Sequence, residues 1–426
     1  MMNNSISLCM IVKNEIDCLE RAIDSVSGLV DEIAIVDTGS TDGTWELVQT
    51  LAHRHVQIEW PDHFGQARNV ALDLAQSDWV LILDGDEVLS EGHDALRDAA
   101  ARTDLLAGEL KIRNDMGDGS SGEFWACRFF RRRNDIRWEG RIHEKVLSDI
   151  QLVINKEAGW KVQRLDSTIE HHGYRPEIFE KRGKAERNVR LLQAALEALP
   201  ASAPLSKRVY TQYKLATALG MGPAGVRYLL GAAQMLMSAS EEQLSTSPLA
   251  AEILVSASQA WTRSGEWRTA LDAGLAAKRL ESSHAMVDLV LAQAYLVGGD
   301  TDKASAAAQK SRDCADLTGG FYFDRVGHDV ALSVAEATID QRTGDMENAV
   351  TRLSELKDRH PEHPGANISW IHALIRAGHA KQALSEAVQH LKRHPGDRNG
   401  LLACAEAADA LGMHDHAGKW RQKALG

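Results

Sequence analysis

The stretch Trp79-Val80-Leu81-Ile82-Leu83-Asp84-Gly85-Asp86-Glu87 decides how the first half of the chain is read. Its apolar residues run without a polar break, the pattern of a strand buried in a parallel sheet. Three carboxylates follow within four residues, with a glycine among them to let the backbone turn sharply. Carboxylates crowded in this way repel one another and stay ionised together when a cation sits between them. Hard divalent ions such as Mg2+ or Mn2+, carried on a substrate's phosphates, take oxygen ligands of this kind. The plainer reading is that these acids end a strand and cap the next helix. Asp-x-Asp does not by itself separate the two readings, so the flanking sequence has to.

Upstream, residues 5–12 form a short apolar strand, broken by Lys13-Asn14-Glu15, where Asn14 is placed to cap the helix that follows. Leu19, Ala22, Ile23 and Val26 recur at helical spacing. A second strand, Glu32-Ile33-Ala34-Ile35-Val36, runs into Asp37-Thr38-Gly39-Ser40-Thr41-Asp42-Gly43-Thr44, and another helix opens there. A third strand around residues 56–60 precedes Phe64-Gly65-Gln66-Ala67-Arg68-Asn69 and a helix through Leu72 and Ala75. Strands alternating with helices predict an α/β domain with a mostly parallel sheet covered on both faces. Ligands in such sheets sit beyond the carboxyl ends of the strands. Asp37 and the acids at 84, 86 and 87 all fall at such ends and are expected to face one crevice.

These motifs, in this order, closely resemble the family 2 glycosyltransferases: Ser-Leu-Cys-Met-Ile-Val-Lys-Asn-Glu, Ile-Val-Asp-Thr-Gly-Ser-Thr-Asp-Gly-Thr, Ala-Arg-Asn and Leu-Asp-Gly-Asp-Glu. The resemblance is to the branch that includes peptide S-glycosyltransferases and lipooligosaccharide glucosyltransferases, and it covers about residues 5–200. Its later landmarks are Arg128-Phe129-Phe130-Arg131, Trp138-Glu139-Gly140-Arg141-Ile142-His143-Glu144 and His171-His172-Gly173-Tyr174. It implies a GT-A fold binding a nucleotide-diphosphate sugar, with UDP the favoured carrier, and a single inverting displacement. The cofactor-binding set it implies is Asp37, Asn14, Arg68, Asn69 and Asp84. Asp37 would accept from the base or ribose, Asp84 would lie near the ribose, and Arg68 and Asn69, at a helix start, would assist the diphosphate. Mn2+ or Mg2+ would be held by Asp86 with Asp84 and His171. His172 stands where an aromatic is expected, which leaves open which ring faces the site. Sugar transfer also needs a base for the acceptor; Glu144 is the first choice, with Glu87 and His143 as competitors. The run Gly117-Asp118-Gly119-Ser120-Ser121-Gly122 has no side chain suited to catalysis and reads as a lid or a hairpin connection.

At 426 residues the chain is long enough for two or three domains. Its formal net charge of −12 argues against a general nucleic-acid surface. Five scattered cysteines without a Cys-x-x-Cys suit a reducing compartment and offer no thiolate metal site. No segment approaches the roughly 20 apolar residues of a membrane span, so a cytoplasmic protein is expected.

From Pro176 onward strands vanish and helical periodicity dominates. The expected division is a glycosyltransferase domain over 1–180, a linking helix and boundary over 181–204, and an all-α repeat domain over 205–426. Gly-x4-Ala recurs at Gly265/Ala270, Gly299/Ala304, Gly344/Ala349, Gly378/Ala383 and Gly412/Ala417, with successive alanines 34, 45, 34 and 34 residues apart. A period near 34 residues is that of tetratricopeptide helix pairs. The longer step fits one unit with 11 extra residues near 314–324, and Val209 begins a less regular first unit. Such stacks present extended surfaces to polypeptides, though an array can also dimerise an enzyme or support its catalytic domain.

The preferred expectation is an inverting, metal-dependent glycosyltransferase whose repeats recruit a peptide or protein acceptor. The alternatives are transfer to a saccharide or lipid-linked glycan with repeats used for assembly, or a silent interaction scaffold. The intact set of Asp37, Asp84, Asp86, Arg68, Asn69 and Glu144 disfavours the last.

Overall fold

The computed structural model describes residues 4–115, 121–172, 184–281, 283–314 and 325–425. The chain divides into two compact units, Met1–Pro200 and Ala201–Gly426.

In the first unit, β1 (Ile6–Val12), β2 (Glu32–Asp37), β3 (Arg54–Gln57) and β4 (Trp79–Ile82) are joined by α1 (Leu19–Asp24), α2 (Thr44–Leu51) and α3 (Phe64–Leu74). They pair in parallel, in the order β3-β2-β1-β4. Then follow β5 (Glu87–Glu91), α4 (His93–Ala101), β6 (Leu105–Asp115), β7 (Ser121–Arg131), α5 (Leu147–Lys156), β8 (Lys161–His171) and α6 (Lys184–Glu197). The sheet has eight strands in the order β3-β2-β1-β4-β7-β6-β8-β5. The β6–β8 pairing is parallel, while β4–β7, β6–β7 and β5–β8 are antiparallel, so the sheet is mixed with a parallel majority.

β4 lies between β1 and β7, and all four of its residues are buried. Alternation along the strands sends Leu8, Leu81 and Phe129 into one apolar layer and Cys9, Val80, Ile82 and Phe130 into the other. Trp79 stacks flat on Phe129 with ring centres 4.6 Å apart and donates its indole N–H to the Ala100 carbonyl. Each fully buried side chain of this size contributes about 1.5–3 kcal/mol over exposure. The acidic turn after β4 is therefore anchored to the best-packed part of the sheet.

Two local expectations change. The helix expected beyond Asn69 begins at Phe64, so Arg68 and Asn69 lie inside α3 rather than at its start. The glycine-rich connection joins hairpin partners, since Asp115 pairs with Ser121; residues 116–120 lie outside the described residues.

The second unit is built of helix pairs. α7 (Leu205–Leu219) packs on α8 (Pro223–Met237), followed by the short α9 (Glu241–Ser245). Five further pairs follow: α10 (Ala250–Arg263) with α11 (Trp267–Leu280), α12 (Ala285–Gly298) with α13 (Thr301–Asp313), α14 (Arg325–Arg342) with α15 (Met346–Arg359), α16 (Pro364–Arg376) with α17 (Ala380–Arg393), and α18 (Arg398–Ala410) with α19 (His414–Leu425). Each pair also packs on the next. Gly265, Gly299, Gly344, Gly378 and Gly412 lie at the turns inside the pairs with φ of 83°, 86°, 91°, 82° and 73°. A Cβ in that left-handed region costs about 1–2 kcal/mol, which explains why glycine recurs there. Ala270, Ala304, Ala349, Ala383 and Ala417 are all completely buried, where a methyl group lets neighbouring helices come close. This is a tetratricopeptide-type repeat. The longer unit is accommodated partly by the longer connection between α13 and α14 and partly by α14 itself, which has 18 residues; residues 315–324 lie outside the described residues.

Candidate functional site

After β4 the chain turns through Asp84, Gly85 and Asp86 into β5. Glu87 closes the turn twice: its N–H donates to the Asp84 carbonyl at 3.0 Å, and its carboxylate accepts the Asp84 N–H at 2.9 Å. Gly85 is needed for space, because a Cβ there would stand 2.8 Å from Cγ of Glu15. Glu87 is thus a buried brace of the turn.

Two guanidinium groups hold the acids together. Arg68, buried in α3, donates through Nη2 to Asp84 Oδ1 at 2.7 Å and through Nε to Glu144 Oε1 at 2.6 Å. Arg128 donates to Glu87 Oε1 at 2.7 Å and lies 3.5 Å from Asp84 Oδ2. Arg128 reaches them because β7 bulges: Gly108 pairs with Phe129 and Glu109 with Cys127, leaving Arg128 as the extra residue. A bulge breaks strict alternation and re-aims the side chain it carries. Burial opposes ionisation of Asp84, but Arg68 and then Arg128 outweigh it and hold the carboxyl well below the usual carboxylate range. Burial pushes the Glu87 carboxyl up, with Arg128 opposing and the Asp84 charge adding to the rise.

Asp86 faces β8. His171 Nε2 lies 3.4 Å from Asp86 Oδ1, and His171 Nδ1 lies 3.1 Å from Asn114 Oδ1 on β6. The backbone N–H of His172 donates to the Asp86 carbonyl at 3.1 Å, and the His171 ring lies against the Asp86 carboxylate. Burial works against the imidazolium, yet the Asp86 hydrogen bond and the charges of Glu87, Asp86 and Asp84 prevail, and the His171 pKa is raised.

A proton on His171 and a metal ion would neutralise the same charge. Among the described residues no three His, Cys, Asp or Glu side chains are assembled into a cage. A cation that arrives on a diphosphate needs only one or two protein ligands, because phosphate and water oxygens complete its shell. The Asp86 carboxylate with the His171 imidazole fits an ion of that kind. Asp84 fits less directly, having both oxygens turned to arginines.

Elsewhere the chemistry of the expected residues is already engaged. Asp37, fully buried at the end of β2, accepts at Oδ1 from the N–H groups of Gly39 and Ser40 at 2.9 Å and from Gln57 Nε2 at 3.0 Å. Its Oδ2 is buried and has no partner among the described residues. Asn14, at a left-handed φ of 55°, accepts the Thr41 N–H at 2.8 Å and ties the β1 loop to the β2 loop rather than capping α1, whose N-cap is Cys18. Asn69 exchanges two hydrogen bonds with the Trp138 backbone, at 2.8 and 3.0 Å. The N-terminus of α3 is not an open anion site: Phe64 N–H donates to the Arg141 carbonyl, Gly65 N–H to Gly140 and Gln66 N–H to His63 Nδ1. That overturns the helix-start argument for the diphosphate, because the donors it relied on already grip the 138–144 segment. Glu144 is carried into the network by this segment, whereas His143 is exposed with φ 52°. Gly173 and Tyr174 lie outside the described residues.

Residues 7–143 match the family model for Glycosyl transferase family 2. The first unit carries a family 2 glycosyltransferase domain. A TPR repeat-containing protein of Synechococcus elongatus is 33% identical over 206 residues, covering 48% of this chain and 51% of that protein. The glycosyltransferase SunS of Bacillus subtilis is 24% identical over 201 residues, 46% of each chain. The chain thus spans about half the length of these curated relatives. A tetratricopeptide repeat protein of Parabacteroides merdae aligns with a TM-score of 0.44 at 15% identity, over 58% of this chain and 88% of its own. Among the described residues no helix is long and apolar enough to cross a membrane.

Three partners within the glycosyltransferase domain were not legible in the sequence. Arg128 needed the bulge, and Gln57 and Asn114 needed the strand register. Arg128 sits in a quoted landmark, but nothing in Arg-Phe-Phe-Arg tells which residue breaks the alternation.

Proposed function

We propose that the chain is an inverting, divalent-metal-dependent glycosyltransferase that moves a sugar from a nucleotide-diphosphate donor, favouring UDP, to a peptide or protein acceptor recruited by its repeats. The observation that carries this reading is the convergence of Asp84, Asp86, Glu87, Glu144, Arg68, Arg128 and His171 around the end of β4.

A Mn2+ or Mg2+ ion bound with the donor supplies charge neutralisation for the departing diphosphate. Asp86 and His171 would hold it, with Asp84 behind them. Asp37, at the end of β2 on the far side of β1 from β4, takes the base or ribose. Glu144 accepts Arg68 at one oxygen and takes the acceptor's proton at the other as the new glycosidic bond forms and the sugar–phosphate bond breaks. Glu87 is enclosed within the turn, and His143 is an exposed side chain, which supports Glu144 over both. A polypeptide acceptor is supported by the helix-pair array, since stacked repeats expose a long continuous surface to an extended chain.

The test is calorimetric titration of UDP and GDP into the full chain with and without Mn2+, in the wild type and in Asp86→Asn. Metal-dependent binding that Asp86→Asn abolishes, in a variant with unchanged circular dichroism, supports the reading. Equal binding by the variant removes Asp86 from the metal site. A folded wild type that binds neither nucleotide points to a silent scaffold.

A further inference from the structure

Gln57 ends β3, the strand at one edge of the sheet, and its register partner on β2 is Asp37. The two side chains share a face at the carboxyl ends of adjacent parallel strands. Asp37 Oδ1 is held by three donors, two of them rigid backbone N–H groups. The carboxylate therefore has a fixed orientation, and Oδ2 is an acceptor with a set direction. Buried polar atoms are rarely left unpaired, and this one has no partner among the described residues. What it lacks is an N–H or O–H donor.

The Gln57 carboxamide has two N–H groups. One is given to Asp37 Oδ1 at 3.0 Å, and the other remains on an exposed side chain at the strand end. Asp37 and Gln57 together offer an acceptor beside a donor. The complementary edge is a ring N–H beside a carbonyl, as in uracil (N3–H and O4) or guanine (N1–H and O6). Cytosine and adenine present the reverse, a bare ring nitrogen beside an amino group. Against them Asp37 Oδ2 would face a lone pair and the Gln57 N–H would face another N–H, and both mismatches leave desolvated polar groups unpaired.

We propose that Gln57 is a specificity-determining residue which, with Asp37, makes the crevice select a donor nucleotide whose base carries a lactam N–H next to a carbonyl. This rests on the reading of the crevice as a nucleotide-sugar site. The selection is for a base edge, so UDP and GDP are the two sources of the same chemistry.

The experiment is titration of UDP, GDP, CDP and ADP with Mn2+ into the full chain, Gln57→Leu and Asp37→Asn. The wild type binds UDP or GDP at least about tenfold more tightly than CDP and ADP, the worth of one satisfied polar pair. Which of the two binds names the base. Gln57→Leu weakens the favoured nucleotide about tenfold, leaves CDP and ADP unchanged, and so collapses the preference. In Asp37→Asn the three donors keep the amide oxygen at the Oδ1 position, so an NH2 group replaces Oδ2, and the favoured nucleotide loses its advantage over CDP. A Gln57→Leu variant that keeps the wild-type preference overturns the role of Gln57 while leaving the nucleotide site standing. A wild type that prefers CDP or ADP overturns the base-edge argument. Failure of a folded wild type to bind any of the four overturns the underlying reading itself.

Discussion

The turns inside the repeat pairs and the acidic turn after β4 use glycine for opposite reasons. In the repeats, Gly265, Gly299, Gly344, Gly378 and Gly412 all have positive φ, and a Cβ at any of them would meet nothing within 4 Å. They are required for conformation. Gly85 is not at positive φ, but a Cβ there would collide with Glu15 at 2.8 Å. It is required for room. A conformational demand recurs wherever the same turn recurs, so it writes a period into the sequence. A steric demand depends on one neighbour 70 residues away and leaves no such trace.

Arginine draws the same contrast and gives the largest expected effect on stability. Arg68 is buried between Asp84 and Glu144, whereas Arg352 in the repeats joins Glu336 and Asp340 from a half-exposed position. Arg68→Met takes the arginine from the largely enclosed Glu144 and leaves Asp84 with Arg128 alone, and is expected to cost about 3–5 kcal/mol. Arg352→Met is expected to cost less, about 1 kcal/mol, because Arg352 itself is partly exposed and Arg312 still pairs with Glu336. Urea unfolding followed by tryptophan fluorescence measures both. Equal losses would erase the distinction between a site network and a surface network.

A smaller effect tests the glycines themselves. Gly344→Ala should lower stability by about 1–2 kcal/mol through backbone strain and leave nucleotide binding alone. Gly85→Ala should do the reverse: its methyl group displaces the turn that carries Asp84 and Asp86, weakening metal-dependent nucleotide binding with little change in melting temperature. If Gly85→Ala proves purely destabilising, the turn tolerates no shift and Glu15 belongs to the core.

What was legible follows from these causes. The strand at 79–82 and the acids after it were readable because an apolar run and a carboxylate cluster are local. The repeats were readable because Gly and Ala return at one spacing. The half of the sheet beyond β4 was harder, since the Arg128 bulge and the β6–β8 pairing depend on residues far apart. Asn14 and Asn69 read as ligand-binding groups, yet each bonds to backbone, an option open to every asparagine and invisible without coordinates. The choice between His171 and His172 is a matter of strand alternation at the last residue of β8, which sequence periodicity does not fix to one residue.

The two units should also respond to acid with opposite signs. His171 is largely enclosed, but three carboxylates overcome the effect of burial and raise its pKa. A raised folded pKa means that the native state binds the proton better. Its stabilisation is complete below the unfolded histidine value near 6.5 and fades as pH rises through the folded value. His328, against Ser311 in the repeats, is governed by burial, with Asp329 too weak a counterweight, and its pKa is lowered. Its contribution is complete above the unfolded value and is lost as pH falls through the folded one. Between pH 7.5 and 5.5, hydrogen exchange corrected for intrinsic rate should therefore slow for β8 amides and speed up for α14 amides. His171→Gln should flatten the first trend and His328→Gln the second, each without touching the other. Parallel trends in both elements would mean that burial, not the carboxylate cluster, governs His171.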